Sequence, residues 1–212
     1  MARKLLIFDL DGTLVDSARD LATAVNLMRR HFGLSALSVE TVKGYVGNGV
    51  RMLVTRALEG TGIDVEEALR IQAPLYKAHA MDETALYPGV REALERFRAL
   101  GHVMAVATNK PAESCSLILE RLGIRDFFFE VLAGGTFPVL KPDPAMILHL
   151  MVKAGVAARD TWVVGDNYTD VEAAHRAGAN SVFLTYGYGH PGRETPTLRC
   201  DQFAELLPVF GE

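Results

Sequence analysis

Apolar residues fall into two rhythms along this chain. Short, mostly apolar runs at residues 5–8, 103–107, 129–133, 162–164 and 181–184 end in polar turns. Runs of that length predict strands buried on both faces of a parallel sheet. Between them the spacing becomes helical. From Pro88-Gly89-Val90 the apolar positions Val90, Leu94, Phe97 and Leu100 step by 4, 3 and 3, which is one face of a helix that Gly101 stops. Further helices are predicted over about 111–122, 144–154 and 170–177, stopped by Gly123, Gly155 and Gly178. Strands alternating with helices of this length imply an α/β fold, a Rossmann-like parallel sheet with right-handed crossovers.

Residues 16–82 break the alternation. They hold no good strand run. Asp16 or Ser17 can cap a helix carrying Leu21, Ala24, Val25 and Met28. A second helix holds Val50, Leu53, Val54, Ala57 and Leu58, and a third spans 64–79. The expectation is a helical cap, 16–82, inserted just after the first strand of an α/β core formed by 1–15 and 83–212, with hinges at the two joins. Residues 187–196 read as a long loop.

Composition narrows the classes. The 212 residues are 49% hydrophobic with a formal net charge of −4. No basic run exceeds two residues, so the footprint expected of a nucleic-acid binder is missing. The opening Met1-Ala2-Arg3-Lys4 resembles the start of a signal peptide, but the apolar run behind it is too short for one, and no stretch approaches a membrane span. Cys115 and Cys200 lie far apart without metal or redox spacing and read as reduced thiols of a cytoplasmic protein, Cys115 on a helix. The six histidines show no zinc-type pairing.

Candidate chemistry sits at the strand ends, where open α/β sheets bind ligands. Asp9-Leu10-Asp11-Gly12-Thr13 follows the first strand. Two carboxylates so close repel unless a cation lies between them, and a hard divalent ion such as Mg²⁺ suits oxygen ligands. Thr108-Asn109-Lys110-Pro111 follows the next strand, with a hydroxyl and an amide that can grip phosphate oxygens. Lys141-Pro142-Asp143-Pro144 holds a lysine among rigid residues. Gly165-Asp166-Asn167-Tyr168-Thr169-Asp170 places a second acidic pair about one helical turn apart. Trp162 reads as core.

In this order the four segments resemble the motifs of the haloacid dehalogenase superfamily of phosphatases. Within it, Val15-Asp16-Ser17, Gly47-Asn48-Gly49, Thr108-Asn109-Lys110-Pro111 and Lys141-Pro142-Asp143-Pro144 are similar to phosphoglycolate phosphatases. The resemblance implies that Asp9 attacks phosphorus to form an aspartyl-phosphate and that Asp11 exchanges the proton. It implies Mg²⁺ held by Asp9, the backbone carbonyl of Asp11 and Asp166, with Asp170 behind them orienting Lys141 or a metal-bound water. Lys141 would neutralise charge, and Thr108 and Asn109 would hold the nonbridging oxygens. Gly12 and Thr13 join the substrate-binding set. Asn167, where serine is common, would face the metal turn. The cap would read the leaving group through Gly47, Asn48 and Gly49 at a helix N-terminus, with Arg51 either assisting or facing solvent.

The implied substrate is 2-phosphoglycolate. Another small phosphate (pyrophosphate, a nucleotide or a sugar phosphate) and phosphomutase chemistry share the core constellation. A receiver-like phospho-aspartate domain shares the residue types but has no cap. A haloalkanoate dehalogenase has no use for Asp11. The expected partner is a small phosphorylated molecule, not nucleic acid or membrane, and the expected state is a monomer or homodimer.

Overall fold

The computed structural model describes residues 3–211, so Met1, Ala2 and Glu212, including the first half of the basic tetrapeptide, lie outside it. Six parallel strands form the main sheet in the order β5-β4-β1-β6-β7-β8. They are β1 (Leu5–Phe8), β4 (Val103–Pro111), β5 (Glu130–Gly134), β6 (Thr161–Gly165), β7 (Asn180–Leu184) and β8 (Leu198–Cys200). The central strand, β1, pairs Leu5 with Val103 on one side and with Thr161 on the other. Every residue of β1 is buried, because helices cover both faces of the sheet. Strand order reverses at β1, so its C-terminal end opens at the switch point where such sheets bind ligands.

Helices α5 (Val90–Ala99), α6 (Ala112–Arg121), α7 (Ala145–Ala154) and α8 (Tyr168–Arg176) occupy the crossovers, and α9 (Leu207–Phe210) ends the described chain. Their apolar stripes fill two layers. One centres on Phe8, Phe97 and Phe203, the other on Ile7, Ile147 and Ala173. Leu100, expected on the buried face of α5, stands at the helix C-terminus and is exposed. Cys115 lies buried on α6 and is free, as is Cys200 on β8.

The remaining helices are α1 (Ala18–His31), α2 (Val39–Lys43), α3 (Val50–Ala57) and α4 (Val65–His79). They bury a third apolar cluster among themselves, with Leu21, Val25, Met28, Leu53, Val54 and Ala68 inside. Short strands β2 (Val15–Asp16) and β3 (Ala85–Leu86) pair antiparallel and bring the entry to and exit from this segment side by side. The buried Asp20 of α1 fastens the exit by accepting hydrogen bonds from the Glu83 and Thr84 N–H groups and the Thr84 hydroxyl. The sequence reading missed α2, β8 and the β2–β3 ribbon. Among the described residues no helix is long and apolar enough to cross a membrane.

Candidate active site

β1 ends at Phe8, and the next residue, Asp9, keeps the ladder going by donating its N–H to the Val164 carbonyl at 2.9 Å. The chain then turns sharply on Leu10, whose carbonyl accepts from the N–H groups of Thr13, Leu14 and Val15. Gly12 carries φ of 78°, and a Cβ there would lie 2.4 Å from an Asp166 carboxylate oxygen. Only glycine lets this turn approach the end of β6 so closely.

Beyond β6, Asp166 is buried and accepts from the Thr13 hydroxyl at 3.1 Å and from the Tyr188 N–H at 2.7 Å. Asn167 caps α8 in a reciprocal box: its side chain accepts from Thr169 N–H, and Asp170 accepts from Asn167 N–H at 3.1 Å. The other Asp170 oxygen takes a 2.6 Å hydrogen bond from Lys141, whose ammonium also donates to the Ala107 carbonyl at 2.6 Å. The same ammonium lies 3.1 Å from Asp9 Oδ1. That oxygen is buried and accepts no hydrogen bond, so its contact with Lys141 is ionic only.

Oxygens of Asp9, Asp166 and Asp170 lie within 4.8 Å of one another. Burial, then the charges of Asp9 and Asp170, push the Asp166 carboxyl up to about 8. Burial likewise raises Asp170, although Lys141 pulls the other way. Burial opposes the charge on Lys141, but Asp170 and Asp9 outweigh it and its pKa is raised. Three buried carboxylates facing one lysine, with one oxygen unbonded, fit a divalent cation held by hard oxygen donors.

Asp11 lives in a different environment. It accepts from Lys110 Nζ at 2.9 Å on both oxygens and from the Ser17 hydroxyl at 2.5 Å. Lys110 in turn donates to the Tyr76 hydroxyl at 2.6 Å, and its ammonium stands 4.5 Å from the centre of that ring. Burial disfavours this ammonium, yet Asp11 and then Tyr76 raise its pKa. Asp9, Asp11, Thr108 and Lys110 open together into a cavity of about 310 Å³ roofed by α3 and α4.

The expected residues divide on inspection. Asp9, Asp11 and Thr108 line the cavity, and Lys141 stands directly behind Asp9. Gly47 and Gly49 line it from the helical side, with Gly49 at the N-terminus of α3. Asn109 also reaches the cavity, but its amide is committed: it donates to the Gly47 and Lys141 carbonyls and accepts from the Lys141 N–H at 2.8 Å. Its side chain is a strut between segments, with both amide hydrogens already donated. Thr13 is fully buried with its hydroxyl spent on Asp166, and Gly12 packs on the same carboxylate, so both shape the acidic cluster and neither lines the cavity. Asn48 turns away too, donating to the Tyr168 hydroxyl at 2.6 Å and accepting from Arg56. Arg51 is exposed and paired with Glu66. Asn167 meets the helical segment: a Cβ on Gly47 would lie 2.4 Å from its amide nitrogen.

Sequence reasoning quoted Lys110 without a role, named Ser17 only as a cap and within the family-like segment Val15-Asp16-Ser17, and passed over Gln72, Tyr76 and Tyr188. Lys110 precedes Pro111 just as Lys141 precedes Pro142, so the argument made for one lysine applied to the other. The partners on α4 carry no local signal, since they are ordinary positions of an amphipathic helix.

A family model described as haloacid dehalogenase-like hydrolase matches residues 6–184. A phosphoglycolate phosphatase of Pseudomonas putida is 44% identical, across 97% of this chain and 79% of that protein. One from Vibrio parahaemolyticus is 41% identical, across 97% of this chain and 95% of its own length. The crystal structure of a predicted phosphoglycolate phosphatase from Haemophilus somnus 129pt superimposes with a TM-score of 0.92 at 36% identity, covering 98% of this chain and 97% of that one.

Proposed function

The chain belongs to the haloacid dehalogenase-like hydrolase family, and we propose that it is a Mg²⁺-dependent phosphomonoesterase that hydrolyses 2-phosphoglycolate. The observation that carries this reading is the contrast between two carboxylates only two residues apart. Asp9 keeps a buried oxygen free of hydrogen bonds beside Lys141, while Asp11 is held by Lys110 and Ser17 on the cavity wall. One is placed to attack, the other to handle a proton.

In the first step an Asp9 oxygen bonds to phosphorus and the bond to the leaving oxygen breaks. The electron pair goes to that oxygen, which takes a proton from Asp11. In the second step Asp11 takes a proton from water as the water oxygen bonds to phosphorus, and the bond to Asp9 breaks. Lys141 balances charge beside Asp9, and Thr108 offers its hydroxyl to the phosphoryl oxygens. Asp9, Asp166 and the backbone carbonyl of Asp11 would hold Mg²⁺, with Asp170 fixing Lys141. When bound, the cation supplies positive charge to the nucleophile and the phosphoryl group. Helices α1–α4 act as the cap that shuts water out, hinged where β2 and β3 pair. Two buried free thiols suit a reducing compartment, so we assign the enzyme to the cytoplasm.

The test is phosphate release from 2-phosphoglycolate with Mg²⁺ and with excess chelator, alongside glucose phosphates, pyrophosphate and a nucleotide. Acid-quenched enzyme should carry a phosphoryl group on the peptide containing Asp9. Asp9→Asn should fold and show neither label nor turnover. Turnover retained by Asp9→Asn would overturn the mechanism. A parent enzyme that prefers hexose phosphates or pyrophosphate would overturn the substrate.

A further inference from the structure

We infer that Lys110, with Gln72 and Tyr76 of α4, forms the subsite that receives a carboxylate on the leaving group. The inference rests on the phosphomonoesterase reading of Asp9 and Asp11. Two lysines line the cavity, and they differ in setting. Lys77 is exposed at the mouth and paired with Glu113, whereas the Lys110 side chain is 2% exposed. Lys110 is therefore the cation of the interior. A charge buried so deeply is costly unless it is paired. Asp11 and the Tyr76 hydroxyl pair it here, and when Asp11 holds the proton it gives to the leaving oxygen, a ligand carboxylate on the cavity side takes over as counter-charge.

Gln72 supplies an independent observation. It is 2% exposed, lines the same cavity, and its side-chain amide has no hydrogen-bond partner among the described residues. The amide faces the cavity and is not sealed in the core, so a ligand oxygen entering there can bond it. The Tyr76 hydroxyl, at 2.6 Å from the lysine, completes a polar corner on an otherwise apolar roof that includes Leu53, Leu69 and Ala73.

Geometry sets the class of ligand. Asp11 must reach the leaving oxygen to protonate it, and Lys110 Nζ lies 2.9 Å from the Asp11 carboxylate. A group that meets Lys110 therefore lies only a few bonds from the leaving oxygen. In a two-carbon phosphate ester a carboxylate oxygen is three bonds away, which matches that reach. With Asp11 carrying the proton for the leaving oxygen, one ammonium and one amide balance a single negative charge better than a second phosphate. The lysine that anchors Asp11 thus reads the leaving group, so recognition and proton transfer share one residue.

The experiment compares kcat/KM for 2-phosphoglycolate and for ethyl phosphate, which keeps the two-carbon chain but lacks the carboxylate, using the Mg²⁺-loaded enzyme. The parent should prefer phosphoglycolate. Lys110→Met should slow both esters, because Asp11 loses its partner, but the preference itself should fall by about 10- to 100-fold, the scale of one hydrogen bond to a charged group. Lys110→Arg should keep part of it. Gln72→Leu, which leaves Asp11 and Lys110 untouched, should cut the preference by about tenfold and weaken competitive inhibition by glycolate. If Lys110→Met does not fold, Gln72→Leu and the glycolate measurement decide. An unchanged preference in the folded variants, or a parent without preference, sinks the subsite while leaving the hydrolase standing. A parent that releases phosphate from no ester sinks both.

Discussion

His102 shows how one buried side chain turns into a measurable pH response. Its Nδ1 accepts from the Lys4 N–H at 3.1 Å, which places the remaining ring hydrogen on Nε2, 2.9 Å from the Phe210 carbonyl. Protonation would set a second N–H against that of Lys4. Burial, with the Lys4 charge adding to it, holds the ring below its ordinary pKa of 6.5, although the bond to Phe210 opposes this. The unfolded chain therefore binds the proton first as pH falls, so the stability that this ring contributes is full above about 6.5 and is lost below it. His102→Gln can keep both hydrogen bonds without titrating. Urea unfolding of the variant should show a shallower fall in stability between about pH 7 and pH 5 than the parent, and matching slopes would remove His102 from the account. Single residues were also where the sequence was least readable. Asp9, Asp11, Lys141, Asp166 and Asp170 stood out because strand ends expose them in order. Whether Asn109 would grip a ligand or brace two loops depended on where Gly47 and Lys141 lie in space, and no spacing along the chain encodes that.

At the scale of elements, the buried strands and long amphipathic helices were legible because burial on both faces, or on one stripe, leaves its period in the sequence. Short pieces were not. β8 is a three-residue edge strand and α2 a five-residue helix, each too short to show a period, and the two-residue strands β2 and β3 exist only because they meet each other. The contact between the helical segment and the sheet was equally hidden. Besides Tyr76 and Lys77 of α4, it runs through the Gly-rich stretch: Gly47 on Asn109 and Asn167, and Asn48 on Tyr168. Tyr168→Phe deletes the 2.6 Å hydrogen bond to Asn48 and leaves the ring in place. Backbone hydrogen exchange should quicken at residues 44–49 while the strands stay protected, and global stability should drop by only about 0.5–1.5 kcal/mol. A uniform rise in exchange across the sheet would mean that this contact belongs to the core and is no separable seam.

The whole molecule accommodates an arrangement that folding alone disfavours. Asp9, Asp166 and Asp170 converge in the interior with one lysine among them, and Asp166 is pushed up to about 8 from an ordinary value of 3.8. The metal-free fold thus keeps a proton that the unfolded chain releases, so its stability should decline as pH rises from about 4 through about 8. The sign is opposite to that of His102, whose effect has ended by neutral pH, so melts at about pH 7 and pH 8.5 isolate the acidic cluster. A cation that binds only the fold adds RT ln(1 + [L]/Kd), about 2.7 kcal/mol at a hundred times Kd. Mg²⁺ should therefore raise the Tm of the parent most at the higher pH. Asp166→Asn removes one repelling charge without changing shape. In chelator it should melt above the parent, Mg²⁺ should no longer raise its Tm, and hydrolysis should collapse. A parent whose Tm ignores Mg²⁺, or a variant that still gains from it, would show that this cluster is not where the cation binds. The expected pattern would place the stability cost of the metal-free fold at the end of β6, where the proposed cation would serve the reaction.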